Sequence, residues 1–485
     1  TAVAGAKQMA EDKGYKGKWL VTLDYPSFGP FITYADNREL RERTWRAFSN
    51  RAYGDKFDNC KNILKIVTLR DERAKLLGYK NHADFVLERR MAKSPDTVVT
   101  FLNKLLNAYK PAAEEELKQL KEFAAESGFN GEIMPWDVAY YSEKLKQKLF
   151  DFSSEELRPY FPLEQVLDGV FKHFSKLFGL NFNPAPYIPT WHKDVTAYEV
   201  RHRETNDFIG LLYADFYPRT GKKSGAWKTS YRDQGLHSGE MKQPIVAIVC
   251  NFTKPTKDTP SLLSFDEVTT LFHEMGHATH ALLSNVTYAS HAGTSVLWDF
   301  VELPSQAQEN WAYKKETLDM FAAHYKTGEK IPADLIEKVN NAKNFMVGFG
   351  GLRQISFGLM DMKWHSANPM EIDDVAKFED TATEGTRLFP RLAGPMSASF
   401  SHIFAGGYAA GYYSYKWAEV LDADTFELFE EQGLYNQETA QKYIDEILSR
   451  GGSEPPETLY RRFRGRDADP NALLRREGLL KDEVI

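Results

Sequence analysis

Apolar residues recur every three or four positions along most of the chain, which is the spacing of the buried face of an α-helix. Such stretches cover residues 59–77, 136–150, 168–178 and 334–365. A further one has clear boundaries, because Ser94 followed by Pro95 is typical of a first helical turn and Gly128 of a helix end. The pattern therefore predicts a mainly α-helical protein.

A middle section has the pattern of β-strands. Residues 196–201 and 208–217 alternate or run apolar around a polar turn and predict a hairpin. Residues 244–252 are mostly apolar and predict a third strand, either buried at the centre of a sheet or at an edge where it could pair with an extended peptide. Residues 221–239 predict a loop, and residues 18–25 predict a separate short strand that ends in a turn.

The helix predicted to begin after Ser264 is the most informative. Ser264 and Glu267 have the identities of a capping box. On this helix His273 and His277 are four residues apart and share a face, so each can offer a ring nitrogen to one zinc ion. Glu274 stands between them and can reach a water that the zinc activates. The pattern HExxH fixes only three residue types, however, and also occurs by chance.

A catalytic zinc ion usually has three protein ligands, so a third should follow. Glu302 is the best candidate, because it is a carboxylate in an apolar sequence, where an unpaired charge is costly. His280 lies three residues after His277 and shares its face. Spacing alone therefore leaves His280 open as a ligand, although a packed or hydrogen-bonded histidine is its simpler role.

Residues 405–415 combine glycine with tyrosine. The pair Gly406 and Gly407 predicts a flexible turn. Tyr408, Tyr412 and Tyr415 would share one face if this stretch were helical. A phenol placed where negative charge develops in a zinc-assisted hydrolysis would lower its barrier. The alternative is a helix start that is simply packed with aromatic side chains.

Three sequences together resemble the thimet oligopeptidase family of zinc peptidases. They are HEMGH at 273–277, FVELPSQ at 300–306 and HIFAGGYAAGYYSY at 402–415. Within the family the chain is most similar to the bacterial oligopeptidases and next to the dipeptidyl carboxypeptidases. The similarity runs from about Gly14 to the C-terminus. It implies a mainly α, zincin-type peptidase body with a small β-sheet beside the HExxH helix.

The resemblance also implies roles for individual residues. One zinc ion per chain would be held by His273, His277 and Glu302, with Glu274 as the general base. Tyr408 and Tyr415 match tyrosines that contact the substrate and the transition state. The further residues implied to bind substrate are Tyr412, Gly406, Gly407 and His402.

Residues around this centre carry further expectations. Asp299, Ser305 and Glu309 lie three or seven positions from Glu302 and are candidates to orient the metal ligands. Arg353 is expected to pair with Asp361 or another buried acid rather than with a substrate carboxylate.

Composition restricts the partners. The chain has 61 Lys and Arg against 68 Asp and Glu, a net charge of −7, and no basic tract, which argues against nucleic acid. No apolar run approaches the roughly 20 residues of a membrane helix. Cys60 and Cys250 are too few for a disulfide framework and favour a reducing compartment. These features favour a cytoplasmic protein with short peptides as partners.

The predicted function is hydrolysis of internal bonds in short, unstructured peptides. Release of C-terminal dipeptides is the alternative with the same chemistry, and inactive peptide binding is the alternative of another class. The prediction treats residues 1–485 as one catalytic domain with its HExxH core at about 195–420. Because the resembled family carries a further N-terminal helical segment, a separate N-terminal fragment of the same protein is a candidate partner.

Overall fold

The computed structural model describes residues 2–480, which form two compact units. The first unit comprises residues 2–27, 150–343 and 418–473, and the second comprises residues 28–149, 344–417 and 474–480. The α-helices, in chain order, are α1 Ala2–Asp12, α2 Tyr25–Tyr34, α3 Arg38–Ser49, α4 Cys60–Leu76, α5 His82–Leu87, α6 Pro95–Glu126, α7 Pro135–Phe150, α8 Leu163–Phe178, α9 Phe265–Leu282, α10 Leu303–Glu309, α11 Lys315–Leu318, α12 Ala333–Asn341, α13 Val347–Ser366, α14 Val375–Thr383, α15 Ser401–Phe404, α16 Ser414–Gln432, α17 Gln437–Tyr443, α18 Pro456–Arg464 and α19 Ala472–Arg476. The prediction of a mainly α protein is confirmed. Within residues 2–480, no helix is both long enough and apolar enough to cross a bilayer.

The strands all belong to the first unit. They are β1 Leu180–Pro184, β2 Val195–His202, β3 Phe208–Asp215, β4 Trp227–Arg232, β5 Gly235–His237, β6 Glu240–Lys242 and β7 Ile245–Val249. Five of them form one sheet in the order β1-β2-β3-β7-β4, and β5 pairs with β6. Neighbours in the large sheet are antiparallel except β3 and β7, which run parallel. The predicted hairpin of β2 and β3 is confirmed.

Two strand predictions need correction. The apolar strand β7 is central, between β3 and β4, so the interpretation as an edge strand is wrong. Both faces of a central strand are covered, which explains its continuous apolar run. The edge strands are β1 and β4, and β4, like β5, lies inside the stretch 221–239 that was predicted to be loop. Every residue of β4 is half-buried or exposed, and a polar edge strand lacks the apolar pattern that marks a buried one.

The segment after β3 is held by a buried carboxylate. Asp215 is 2% exposed. Its oxygens accept hydrogen bonds from the guanidinium of Arg219 at 2.7 and 2.8 Å, from Nζ of Lys222 at 2.9 Å and from the indole of Trp191 at 3.1 Å. Burial by itself raises the pKa of Asp215, but these hydrogen bonds outweigh it and lower the pKa to about 2.

We therefore expect Asp215→Asn to reduce the free energy of unfolding by about 2 kcal/mol at pH 7. The folded pKa lies below the unfolded value of about 3.9. The stabilisation is therefore complete above the unfolded pKa and is lost as the pH falls through the folded pKa. Urea unfolding of both proteins at pH 7, 4 and 3 should show the difference between them shrinking by about half at pH 3.

The matched control is Asp168→Asn, which changes an aspartate that is 63% exposed in the same unit. It should alter the free energy of unfolding by less than about 0.5 kcal/mol at each pH. A deficit of Asp215→Asn that stays constant from pH 7 to pH 3 would contradict the assignment.

The second unit is built around the contact between α6 and α13. The side chain of Ser94 accepts a hydrogen bond from the N–H of Thr97, which starts α6 at the predicted place. Leu102, Leu105 and Tyr109 of α6 share a buried cluster with Ile355 and Met362 of α13. This contact fixes α13, which also carries Asp361 and His365.

Three further predictions are wrong in part. Residues 18–24 form no strand, because none of the described strands lies beside them to pair with their backbone. The predicted turn that follows them is the start of α2, where Pro26 occupies the first turn and needs no N–H. The helix predicted at 334–365 is divided into α12 and α13, and Met346 between them has a φ of +58°, which no helix interior allows.

Candidate active site

The helix α9 begins directly after its predicted cap residue, Ser264. The hydroxyl of Ser264 accepts a hydrogen bond from the N–H of Glu267 at 3.1 Å, and the carboxylate of Glu267 accepts one from the N–H of Ser264 at 2.8 Å. This reciprocal capping box was predicted and is confirmed. From this start, α9 runs along the sheet against β7 and β4 with most of its residues buried.

A glycine brings α10 close to α9. A Cβ atom on Gly276 would lie 2.6 Å from both the carbonyl oxygen of Pro304 and the Cα of Ser305. No side chain fits in that space, so the two helix backbones are in contact at this point. The contact holds Glu302, which precedes α10, beside the histidines of α9.

The two histidines of α9 converge on Glu302. The Nε2 atoms of His273 and His277 lie 3.2 and 3.0 Å from Oε2 of Glu302. One ligand atom from each of the three residues lies within 4.8 Å of the other two. Glu302 is 3% exposed and His277 is 9% exposed. Two imidazole nitrogens and a carboxylate oxygen in a buried cluster are the donors of a catalytic zinc site.

The charges of this cluster fit a cation. Burial alone would raise the pKa of Glu302, but the charge of His277 and hydrogen bonds from both histidines hold that pKa well below its usual range. Burial alone would lower the pKa of His273, yet its hydrogen bonds to Glu302 and Glu309 raise it well above the usual value. The carboxylates therefore favour positive charge between them, which a divalent metal would also supply.

Two of the three predicted supporting residues contact the candidate metal ligands. Nδ1 of His273 lies 2.7 Å from Oε1 of Glu309, so a ring proton held there leaves Nε2 free to bind a metal. The hydroxyl of Ser305 donates to Oε2 of Glu302 at 2.9 Å. Asp299, the third, is fully buried.

Glu274 lies on the same helix as the two histidines and is 3% exposed. None of the described residues donates a hydrogen bond to its Oε2. Burial raises its pKa, and the charges of His273 and His277 reduce that shift. A buried carboxylate with a raised pKa and an unused oxygen is suited to accept and return a proton.

His280 is outside the metal-ligand group. It is fully buried, and neither of its ring nitrogens has a hydrogen-bond partner among residues 2–480. Burial, with a smaller contribution from the charge of His277, lowers its pKa to about 3. His280 is therefore packed as a neutral ring one turn beyond the ligands.

The predicted tyrosines cluster in the second unit. We call residues 402–415, which include the end of α15 and the start of α16, the tyrosine loop. The rings of Tyr408 and Tyr415 are stacked with centroids 4.8 Å apart, and the rings of Tyr412 and Tyr415 are 5.1 Å apart. His402 lies 5.9 Å from the ring of Tyr408. Gly406 and Gly407 are both exposed.

The prediction that these tyrosines share one face of a helix is wrong. Residues 405–413 are not helical, and α16 begins only at Ser414. The rings meet because the loop folds back on itself, with the N–H of Tyr408 donating to the carbonyl of His402 at 3.1 Å. The phenol of Tyr412 donates to Oε1 of Gln354 at 2.9 Å.

The sequence analysis did not predict that Asp361, which lies on α13, binds the backbone of the tyrosine loop. Asp361 is fully buried and makes no ion pair with Arg353, so the predicted pair is wrong. Arg353 instead lies over the ring of Phe357 at 5.3 Å. Asp361 accepts hydrogen bonds from backbone N–H groups of the tyrosine loop. The sequence does contain a hint of this role. Asp361 is an acid one helical turn before His365 on an apolar helix, and a buried acid needs hydrogen-bond partners.

Comparison with known proteins gives a family and close relatives. A model of peptidase family M3 matches residues 31–479. Oligopeptidase A of Escherichia coli (strain K12) is 44% identical over 491 residues, which cover 99% of this chain and 72% of that protein. Dipeptidyl carboxypeptidase of the same organism is 35% identical over 483 residues, covering 98% and 70%.

Solved structures share the fold. A structure of oligoendopeptidase F aligns with a TM-score of 0.59 and 16% identity, covering 98% of this chain and 72% of the other. PZ peptidase A with an inhibitor aligns with a TM-score of 0.58 and 16% identity, covering 99% and 74%. At these identities the likeness concerns the fold alone, and it agrees with the predicted mainly α body that carries a small β-sheet beside α9.

Proposed function

Because this chain belongs to peptidase family M3, we propose that it is a zinc-dependent oligopeptidase that hydrolyses internal bonds of short, unstructured peptides. Family membership makes it a peptidase with peptide substrates. The preference for internal bonds is proposed from its similarity to proteins named oligopeptidase A. We also propose that residues 1–485 serve one catalytic domain with its HExxH core at about 195–420, since the family match extends over both units.

The observation that carries the proposal is the convergence of His273, His277 and Glu302. Nitrogen and oxygen donors of this kind suit zinc well among the common divalent metals. These three residues would hold one zinc ion per chain. When bound, zinc would supply Lewis acidity, which makes water a better nucleophile and polarises the scissile carbonyl. Glu309 and Ser305 would keep two of the ligands oriented.

Glu274 would be the general base and then the general acid. Its unused Oε2 would take a proton from the attacking water, and the carboxylic acid formed would return that proton to the leaving nitrogen. Its raised pKa supports both steps, because a carboxyl that protonates more readily is a better acceptor and stays available as a donor.

The tyrosine loop is proposed to act on the substrate. Tyr408 and Tyr415 would donate hydrogen bonds to the oxyanion of the tetrahedral intermediate. The further substrate contacts are proposed for Tyr412, Gly406, Gly407 and His402. The support for these roles is the family resemblance of the sequence at 402–415, together with the clustering of the rings.

The decisive experiment is hydrolysis of an internally quenched nonapeptide blocked at both ends. We expect cleavage at an internal bond, loss of cleavage after treatment with a chelator, and recovery with zinc. The paired substrate is the same peptide with a free C-terminal carboxylate.

The alternative function is favoured by the 35% identity to a dipeptidyl carboxypeptidase. It predicts that only the peptide with a free carboxylate is cut, two residues from its end. Binding of both peptides without cleavage by the zinc-loaded protein would contradict either peptidase and favour an inactive binding protein, or one that needs an N-terminal fragment.

A further inference from the structure

A buried carboxylate holds one half of the tyrosine loop. Asp361 is on α13 and is fully buried. Its Oδ1 accepts a hydrogen bond from the N–H of Ala410 at 2.9 Å, and its Oδ2 accepts from the N–H groups of Gly411 at 2.8 Å and Tyr412 at 2.9 Å. Three consecutive backbone donors are thus directed at one side chain, which is a concave anion site made of backbone.

The backbone at this point needs that support. Ala410 has a φ of +49° and is fully buried. A residue with a Cβ atom rarely adopts this left-handed conformation unless its surroundings impose it. The hydrogen bond from the N–H of Ala410 to Asp361 helps to impose this conformation. The loop conformation therefore depends on the charge and position of Asp361.

A histidine connects Asp361 to an arginine. Nδ1 of His365 lies 2.8 Å from Oδ1 of Asp361, and Nε2 of His365 lies 2.9 Å from Nη1 of Arg70 on α4. A guanidinium can only donate hydrogen bonds, so Nε2 accepts and Nδ1 carries the ring proton. That proton is donated to the backbone carbonyl of Asp361 at 2.9 Å, and the ring nitrogen also lies against Oδ1 of the same residue. His365 is 2% exposed, so water does not compete for these bonds.

The arginine holds the other end of the loop. Nη1 of Arg70 donates to the carbonyl of Ile403 at 2.7 Å, and Nη2 donates to the carbonyl of Phe404 at 3.3 Å. These carbonyls come shortly before the exposed glycine pair, with Ala405 between them, whereas the N–H groups bound by Asp361 follow Tyr408. One connected set of side chains therefore fixes the backbone on both sides of the exposed part of the loop.

We propose that Arg70, His365 and Asp361 form a loop anchor that positions the phenols of Tyr408 and Tyr415 for the reaction. The three are positioning residues, since they act through the backbone of the tyrosine loop. The inference rests on the proposed function of the two tyrosines. It adds residues on α4 and α13 that determine how fast the peptidase turns over.

A double-mutant cycle tests the loop anchor. Asp361→Asn removes the charge and one acceptor while keeping the shape of the side chain. In the otherwise unchanged protein it should lower kcat about 10- to 100-fold, because small displacements of catalytic groups have effects of this size. In the background Tyr408→Phe/Tyr415→Phe it should lower kcat less than about threefold further, since neither proposed oxyanion donor is left to position. KM should change less than kcat in the first case.

A matched control separates positioning from folding. Glu116 lies on α6 in the same unit and also accepts two backbone hydrogen bonds, from Gly348 at 2.9 Å and Phe349 at 2.7 Å, neither of which belongs to the tyrosine loop. Glu116→Gln should keep kcat within about twofold. An equal loss of kcat from Asp361→Asn in both backgrounds, or a kcat within threefold of the unchanged protein, would overturn the loop anchor.

Hydrogen exchange tests the anchor without relying on a variant that folds. In the unchanged protein, the amides of residues 410–412 should exchange far more slowly than those of an unstructured peptide. Rapid exchange there would overturn the anchor alone. If the background Tyr408→Phe/Tyr415→Phe keeps full kcat, the proposed function of the tyrosines fails, and the catalytic consequence of the anchor fails with it.

Discussion

The variant Glu274→Gln should lose activity by a factor on the order of 10³ in kcat while keeping its zinc. Glutamine has nearly the shape of glutamate but cannot accept a proton at neutral pH. The carboxylate is buried on α9, where Glu274 directly follows the proposed ligand His273, and Oε2 has no donor among the described residues. Its removal therefore abolishes proton transfer without disturbing a hydrogen bond to that oxygen. The measurement is kcat on the end-blocked peptide, with the zinc content of the same sample.

The control for this variant is Asp266→Asn, which removes the same charge from the exposed first turn of α9. It should keep kcat within about threefold, since an exposed helix-end charge has only a small effect on stability. A Glu274→Gln protein that retains zinc and more than a tenth of the original kcat would exclude Glu274 as the general base.

The second large effect is expected on metal binding. Glu302→Gln should weaken zinc binding by more than 100-fold, because a neutral amide replaces a buried anionic ligand. Glu309→Gln, which changes the partner of His273, should weaken it by only about 10- to 100-fold. Competition with a chromogenic zinc chelator gives these affinities, and circular dichroism verifies that each variant is folded.

His280→Asn is the discriminating variant for the third ligand. It should retain one zinc ion with little change in affinity, because His280 lies outside the cluster of ligand atoms. Spacing along α9 had left His280 and Glu302 as alternatives. Loss of zinc from His280→Asn together with retention by Glu302→Gln would show that the ligand set is wrong.

Features that depend on neighbouring residues could be predicted from the sequence. The starts of α6 and α9 follow from Ser94 and Ser264, because a cap needs only the first turn of its own helix. The shared face of His273 and His277 likewise follows from helical geometry. These predictions required no knowledge of what the helices pack against.

Features that depend on residues far apart in the chain could not be predicted from the sequence. The strand β4 was missed because an edge strand with polar side chains has the composition of a loop. Arg353 was paired with Asp361 from their spacing, whereas the acid is satisfied by backbone groups about fifty residues further along the chain. The tyrosine rings were correctly expected together, although a folded loop rather than a helix joins them.

The contact at Gly276 gives the sequence HEMGH a packing role in this fold in addition to its proposed chemical one. Its first, second and fifth positions carry the proposed chemistry, and its fourth sets how closely a second helix can approach. With any larger residue there, both histidines could keep their shared face while Glu302 moved out of bonding range. A designer who transplants this centre into another scaffold must therefore reproduce the spacing between two backbones as well as the side chains.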